Sequence, residues 1–600
     1  MEIKIEQELQ KGIAAHKEGR LQEAEQLYKM ILKAVPKHPA ANHNLAVLAV
    51  SARNVKAALP LFKTAVEASP TVEQFWLSYI DAHIREQNLK EAHEVVERAV
   101  AHGLRGKKLA HCWKILGALF KQTGNIEEAI RIMLKATEIE PNDPEAQYNL
   151  GSAFHDIGQS EKASACFTEA TRLKPEFFEA HHNHGNALHE LGLHDDAAES
   201  YRRAIALRPD NAEAHNNLAN MLKETGKLEE AEKSYITAIK ISPDSAEIHS
   251  NLGNTLLRLG RLDEAEKNFD KAISIKPDFA HAYNNLGIVL WGRGRLEEAE
   301  SNYRKAISHS PDYAEAHFNL GITLLEVDRV SEAEECYYQA VKLKPDHHDA
   351  HNELLKCLYL QGKQERFYEE LELLVGQSAI NSVIGSLTCR AALKFDRQKP
   401  NIFCQDPLKY VAHLDLRSKY DFDGIFIKSV LAVLSQNRTA ERSQKHLFNG
   451  FQTAGNVFET HRDLTRDICN AIELEIKNYR SRFCSSTEGF ITRWPKRHKL
   501  FGWIVNMKNG GRLDPHIHDK GWVSGTVYIN VPSKTASDNG NLVVALGEDS
   551  DSAEACDNEK QVINIATGSL VLFPSSVTHS TIPFESTENR IVLAFDVIPT

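Results

Sequence analysis

The chain has 600 residues, 42% apolar and 26% charged, with a formal net charge of -11 at pH 7. That balance argues against a nucleic-acid binder held by phosphate contacts, and no stretch approaches 18 consecutive apolar residues, so no membrane span is expected. Nine cysteines without a C-x-x-C pair, and a start at Met1–Glu8 without signal-peptide layout, lead to the expectation of a cytoplasmic chain with reduced thiols.

From Ile5 onward a 34-residue period runs through the sequence. Units open at Ile5, Pro39 and Glu73, and a three-residue insertion near His102–Lys108 precedes the fourth. A small residue recurs at position 8 as Gly117, Gly151, Gly185, Ala219, Gly253, Gly287 and Gly321. Alanine recurs at positions 20 and 27, from Ala129 and Ala136 to Ala333 and Ala340, and proline at position 32, from Pro141 to Pro345. Small residues let two helices cross closely, aromatics at position 24 such as Tyr201 and Phe269 fill the space around them, and the proline ends the second helix. Ten units result, with a degenerate eleventh from His348 that has lost its glycine and alanines. Each unit buries its apolar face only against its neighbours, which predicts a solenoid.

Within the first helix of each unit, positions 4, 7, 8 and 11 form the core side and positions 2, 6, 9 and 13 the opposite one. Position 6 is Asn149, Asn183, Asn217, Asn251, Asn285 and Asn319 in six consecutive units, and position 9 adds Asn186, Asn220 and Asn254. Asparagine is a middling helix former, so a ladder of it calls for a reason beyond local folding. Its amide offers donor and acceptor together, which suits the backbone of an extended peptide; the other reading is that the ladder only bridges adjacent units. Histidines at position 4 (His181, His215, His249, His317, His351) read as packed aromatic substitutes rather than metal ligands.

After about Gly376 the period stops. Helical patterns cover Gly424–Gln436 and Leu464–Phe483, and from Leu500 short β runs alternate with turn signals at Asn509–Gly511, Pro532–Ser533 and an acidic loop Glu548–Lys560. Such spacing predicts a sandwich or barrel. The chemistry-bearing residues are His516 and His518 in D-P-H-I-H-D, His579 in F-P-S-S-V-T-H, and Arg590, eleven residues later. Histidines at i and i+2 of a strand share one side, and a third from a distant strand completes a facial set for a divalent metal with open positions. An arginine inside a small barrel calls for an anion.

The repeats resemble the tetratricopeptide (TPR) family over residues 5–375, and the asparagine ladder is similar to that lining the array of the O-linked N-acetylglucosamine transferase. Residues 500–600 (W-I-V-N-M, G-G-R-L-D-P-H-I-H, S-G-T-V-Y-I-N-V-P, G-S-L-V-L-F-P-S, R-I-V-L-A-F-D) resemble the Fe(II)/2-oxoglutarate-dependent oxygenases, and 385–500 do so weakly. The resemblance implies that His516 and His579 bind iron, that Arg590 binds the distal carboxylate of 2-oxoglutarate, and that Tyr528 assists it. Where the family has H-x-D/E this chain has His518, which leaves three choices: a three-histidine site, Asp519 swinging in, or two histidines alone. Neither a P-loop nor glycosyltransferase halves are present.

The expectation is therefore a multi-domain chain, an all-α TPR solenoid followed by an α+β domain with a double-stranded β-helix (jelly-roll) core. Its parts are expected at 5–375 (TPR), 376–499 (helical or mixed support) and 500–600 (oxygenase-like jelly roll). The function implied is Fe(II)/2-oxoglutarate-dependent hydroxylation of a protein or peptide side chain held by the TPR groove, with no nucleic acid or membrane as partner. The alternative is a non-enzymatic TPR scaffold with a vestigial barrel, His516 and His518 being surface-loop residues.

Overall fold

Paired helices fill the chain from Glu2–Lys17 to Gln364–Gly376. The first helices of successive units begin at Pro39, Glu73, Pro144, Phe178, Ala212, Ala246, Ala280, Ala314 and His348, as the 34-residue period requires. The insertion near His102–Lys108 becomes an added helical turn: the fourth unit's first helix, Gly106–Gln122, has 17 residues where its neighbours have 13. This computed structural model describes residues 2–377, 379–436, 441–442, 446–533, 538–547 and 559–600. Most of the expected acidic loop, and Cys556, lie outside the described residues.

Close approach explains the small residues. A Cβ added at Gly185 would lie 2.6 Å from the Tyr201 ring, at Gly253 2.7 Å from Phe269, and at Gly321 2.6 Å from Tyr337. Position 8 is thus bare because the position-24 aromatic of the same unit packs on its backbone. In two units the position-9 asparagine also satisfies that ring's hydroxyl: Tyr201 Oη donates to Asn186 at 2.7 Å and Tyr235 Oη to Asn220 at 2.6 Å.

The position-4 histidines prove to be ties as well as packing. His181, His215 and His249 place Nε2 2.9, 3.0 and 3.1 Å from the carbonyls of Pro175, Pro209 and Pro243, the position-32 prolines of the preceding units. Asn42, Trp76 and Gln147 make the same contact to Pro36, Pro70 and Pro141 from position 4 of their own units. Any side chain with an N–H at the right reach meets the carbonyl that the helix-ending proline leaves open.

The chain divides into two units, Met1–Val289 and Leu290–Thr600. The second contains the last repeats and the β domain. In the degenerate repeat, Leu355, Phe367 and Leu374 replace the small residues and are wholly buried or nearly so; the helix Ser382–Phe395, unforeseen in the sequence, packs on His348–Leu360.

Among the described residues ten strands follow: β1 (Ala412–Asp415), β2 (Glu441–Arg442), β3 (Leu447–Thr453), β4 (His498–Leu513), β5 (Val523–Asn530), β6 (Leu542–Ala545), β7 (Lys560–Ile563), β8 (Ser569–Pro574), β9 (Thr578–Thr581) and β10 (Arg590–Pro599). They form an antiparallel sheet in the order β1-β8-β5-β10-β4-β3-β2 and a smaller antiparallel one, β7-β6-β9. Period-2 alternation gives the larger sheet two apolar faces. Val505, Tyr528, Val571 and Val592 meet Leu542, Val544 and Ile563 of the smaller sheet. Val527, Leu572, Leu593 and Phe595 meet Ile468, Ile472 and Ile476 of the helix Arg462–Arg482. This is the jelly-roll core. The turn expected at Asn509–Gly511 is instead an irregularity inside β4, where Gly510 has φ +70° and the register against β3 shifts.

Among the described residues no helix is long and apolar enough to cross a membrane, and all eight described cysteines are free thiols.

Candidate metal centre

Past Leu513 the chain leaves β4 and runs as an extended loop, so His516 and His518 do not lie on a strand as expected. Their aim is set differently. His516 forms an isolated antiparallel bridge with His579 of β9. Its backbone N–H donates to the His579 carbonyl at 3.2 Å and the His579 N–H donates back at 3.0 Å. The ring centroids of His516 and His579 are 4.3 Å apart, those of His518 and His579 4.7 Å, and those of His516 and His518 5.3 Å. One nitrogen from each ring falls within 4.8 Å of the others.

Hydrogen bonds decide which nitrogen each ring can offer. Nδ1 of His516 faces the Asp514 carbonyl at 2.8 Å, an acceptor only, so it carries the proton and Nε2 is left open. Nδ1 of His518 donates to Asp596 Oδ1 at 2.7 Å and also lies 3.0 Å from Ser524 Oγ. Nδ1 of the buried His579 has no hydrogen-bond partner. Burial and the neighbouring His518 push His516 down to about 4. Burial and the other two imidazoles hold His579 well below its ordinary value. Burial opposes charge on His518 too, yet the Asp596 carboxylate wins and raises it. His516 and His579 are thereby held in the neutral form that a metal binds, and on His518 a metal would take the place of the second ring proton.

The donor set fits a divalent transition metal. Three imidazoles suit iron or zinc; metal–nitrogen bonds of about 2.1 Å set the donors of a facial set roughly 3.0–3.4 Å apart, so nitrogens within 4.8 Å of one another close on one ion when the rings draw together by up to about 1.8 Å. Asp519 is exposed and outside the cluster.

Inward from the histidines lies a cavity of ≈ 30 Å³ bordered by Trp503, Thr526, Tyr528, Leu542, Thr581 and Arg590. That is room for a couple of waters, so a dicarboxylate enters only by displacing them and parting the lining. Arg590 is 1% exposed; its Nη1 donates to the Gly540 carbonyl at 2.5 Å and its Nε has no partner. Among the described residues no carboxylate pairs with it. Tyr528, equally buried, lies beneath the guanidinium. Alternation on β10 puts Arg590, Val592, Ala594 and Asp596 on one face, and β5 likewise offers Ser524, Thr526 and Tyr528. One pair of strands thus carries a charged group at each end of the site. Asp596 escaped the sequence reading, although a lone carboxylate six residues from Arg590 in the apolar run R-I-V-L-A-F-D was a signal for it.

Outward, a second cavity of ≈ 320 Å³ also touches His516 and is bordered by Glu353 and Lys356 of the last repeat, Arg390, His446 and Asp519. His446 stacks on His516 with centroids 5.5 Å apart and planes 2° from parallel.

The asparagine ladder is half-buried and hydrogen-bonded along the array. Asn183 Nδ2 donates to Tyr148 Oη at 3.1 Å, Asn217 Nδ2 lies 3.4 Å from His182 Nε2, and Asn251 Nδ2 donates to Asn216 Oδ1 at 3.1 Å. Each contact joins position 6 of one unit to position 5 of the unit before. Asn149, Asn285 and Asn319 occupy the same helical position at the same degree of burial.

A family model described as "Putative 2OG-Fe(II) oxygenase" matches residues 502–596. Tetratricopeptide-repeat models match 43–104, 117–158 and 151–192, and a model described as the C-terminal domain of cilia and flagella-associated protein 70 matches 177–379. No curated protein matches the chain. Among solved structures, MamA is 26% identical over 28% of this chain and 97% of its own, with a TM-score of 0.27. YrrB, titled a TPR protein with an unusual peptide-binding site, is 24% identical over 31% and 96%, also at 0.27. MamA from Desulfovibrio magneticus RS-1, residues 41 to its end, is 24% identical over 28% and 96%, at 0.28. The chain carries tetratricopeptide repeats on its N-terminal side and, at its C-terminal end, a domain matching the oxygenase family over residues 502–596.

Proposed function

We propose that the chain is an Fe(II)/2-oxoglutarate-dependent oxygenase that hydroxylates a side chain of a protein or peptide engaged by its repeats. It rests on the pairing of a three-imidazole cluster with a buried Arg590, with which no carboxylate among the described residues pairs, in one cavity. The family match over 502–596 supports it.

His516, His518 and His579 would hold the iron. Bound together, iron and 2-oxoglutarate would let O₂ convert the keto acid to succinate and CO₂ while one oxygen atom enters a C–H bond of the substrate. The chain's own residues have simpler tasks. Arg590 offers its fork to the distal carboxylate of the keto acid, and the Tyr528 ring holds the guanidinium flat. Val505, Leu542 and Val592 line the way with apolar surface and limit water around that ion pair. The outer cavity admits the substrate side chain beside His516, between the last repeat and the barrel. The asparagine ladder presents a line of amides along which an extended backbone lies.

Anaerobic loading with Fe(II), followed by O₂ and 2-oxoglutarate, should yield succinate. Proteins captured by the repeats should gain 16 Da at a defined residue. Absence of 2-oxoglutarate consumption by the iron-loaded chain would end this reading.

A further inference from the structure

Asp596 has a place in the site that the sequence alone does not assign. Its side chain is buried at 7% exposure, and its Oδ1 accepts from His518 Nδ1 at 2.7 Å and from Ser524 Oγ at 2.7 Å. Ser524 Oγ is in turn 2.7 Å from Ser575 Oγ. A Cβ added at Gly521 would lie 2.4 Å from Ser575 Oγ and 3.0 Å from Asp596 Oδ1, so this cluster needs a bare backbone beside it. Among the described residues no lysine or arginine pairs with Asp596; its one ion-pair partner is the His518 ring. A buried carboxylate with one imidazole as its ion-pair partner is costly to hold unless positive charge sits on or beyond that ring. A divalent ion on the far nitrogen of the ring would supply that charge without a second ring proton.

Resting on the metal reading above, we infer that Asp596 is the positioning residue of the centre. It holds His518 in the tautomer and orientation that present Nε2. It also supplies, from behind the imidazole, the negative charge that the H-x-D/E motif brings by direct ligation. The substitution of His518 for a carboxylate ligand is then a displacement of the carboxylate by one residue outward rather than its loss. Ser524 orients Asp596, and Ser575 orients Ser524.

The test is a Co(II) titration of the full chain, followed by visible absorption, in wild type, Asp596→Asn, Asp596→Glu, His518→Ala and the Asp596→Asn/His518→Ala pair. Asp596→Asn should weaken Co(II) binding ~10–100-fold and shift the ligand-field band, and Asp596→Glu should recover part of both. In the His518→Ala background the second substitution should add nothing. Ser524→Ala, which leaves the carboxylate present, should give a smaller loss in the same direction and serves if Asp596→Asn fails to fold. Affinity and spectrum unchanged in both Asp596→Asn and Ser524→Ala would overturn the inference while leaving the three-histidine site standing. An equal loss with and without His518 would overturn it too, because Asp596 would then act independently. Wild type that binds no Co(II) would overturn the metal reading itself, and this inference with it.

Discussion

The guanidinium of Arg590 lies 5.2 Å over the ring of Tyr528, with both side chains sealed from solvent. A cation so placed, with an unmet Nε, is expensive unless an anion joins it. Arg590→Met, which keeps length and removes charge, should weaken 2-oxoglutarate binding by ~2–5 kcal/mol while leaving metal stoichiometry unchanged. Calorimetric titration of the metal-loaded chain checks this. Equal affinity in the variant would show that Arg590 only ties down Gly540.

The ladder asparagines have a double role to separate. Replacing Asn183, Asn217, Asn251 and Asn285 together by alanine removes the inter-unit hydrogen bonds of the first three, worth ~0.5–1.5 kcal/mol each, partly offset by alanine's better helix propensity. The array should stay helical with a lowered unfolding midpoint. Hydroxylation of protein substrate should fall while substrate-free 2-oxoglutarate turnover persists. Normal protein hydroxylation by a folded quadruple variant would leave the ladder as a purely structural bridge.

His184 occupies position 7, where later units carry Leu218, Leu252, Leu286 and Leu320. Burial first, then repulsion from His181, push it down to about 4. The unfolded chain takes up a proton near the ordinary histidine value of 6.5, and the folded site refuses it until about pH 4. Stability is therefore full above 6.5 and falls as pH drops from 6.5 to 4, by up to roughly 3 kcal/mol from this group. His184→Leu should flatten that slope in urea unfolding at pH 7 and pH 4.5. An unchanged slope would mean other groups dominate.

Position 15 of each unit turns between its two helices with positive φ. Glycine fills it at Gly19, Gly124, Gly158, Gly192, Gly226, Gly260, Gly294 and Gly362, but Arg53, Gln87 and Asp328 adopt φ of 60°, 58° and 57°. Arg53→Gly and Gln87→Gly should each stabilise by about 1 kcal/mol, and Asp328→Gly by less, since aspartate tolerates this conformation better. Thermal unfolding of the three variants measures it; destabilisation by all three would contradict the strain.

The repeats were legible because a glycine under an aromatic ring, as at Gly185 and Tyr201, leaves a periodic mark. The ties from His181, His215 and His249 to proline carbonyls were not. They are a matter of side-chain reach, and Trp76 and Gln147 meet the same need with different residues. The histidines and Arg590 were visible by order and spacing. Asp596 and His446 were not singled out, since each takes its meaning from a partner far away in sequence, His518 for Asp596 and His516 for His446. The strand assumed for His516 and His518 is a loop, and it reaches its geometry through the two backbone hydrogen bonds between His516 and His579. The Asn509–Gly511 turn was misread because Gly510 marks a bulge and a turn with the same positive φ.

His516, His518 and His579 together should hold one divalent metal ion. Anaerobic Fe(II) titration of the full chain, in wild type and in His579→Ala, measures this. Wild type should take up one ion per chain and His579→Ala none, with helical content unchanged. Stoichiometric, undiminished iron binding by the folded His579→Ala variant would contradict it, as would a wild-type chain that takes up no iron.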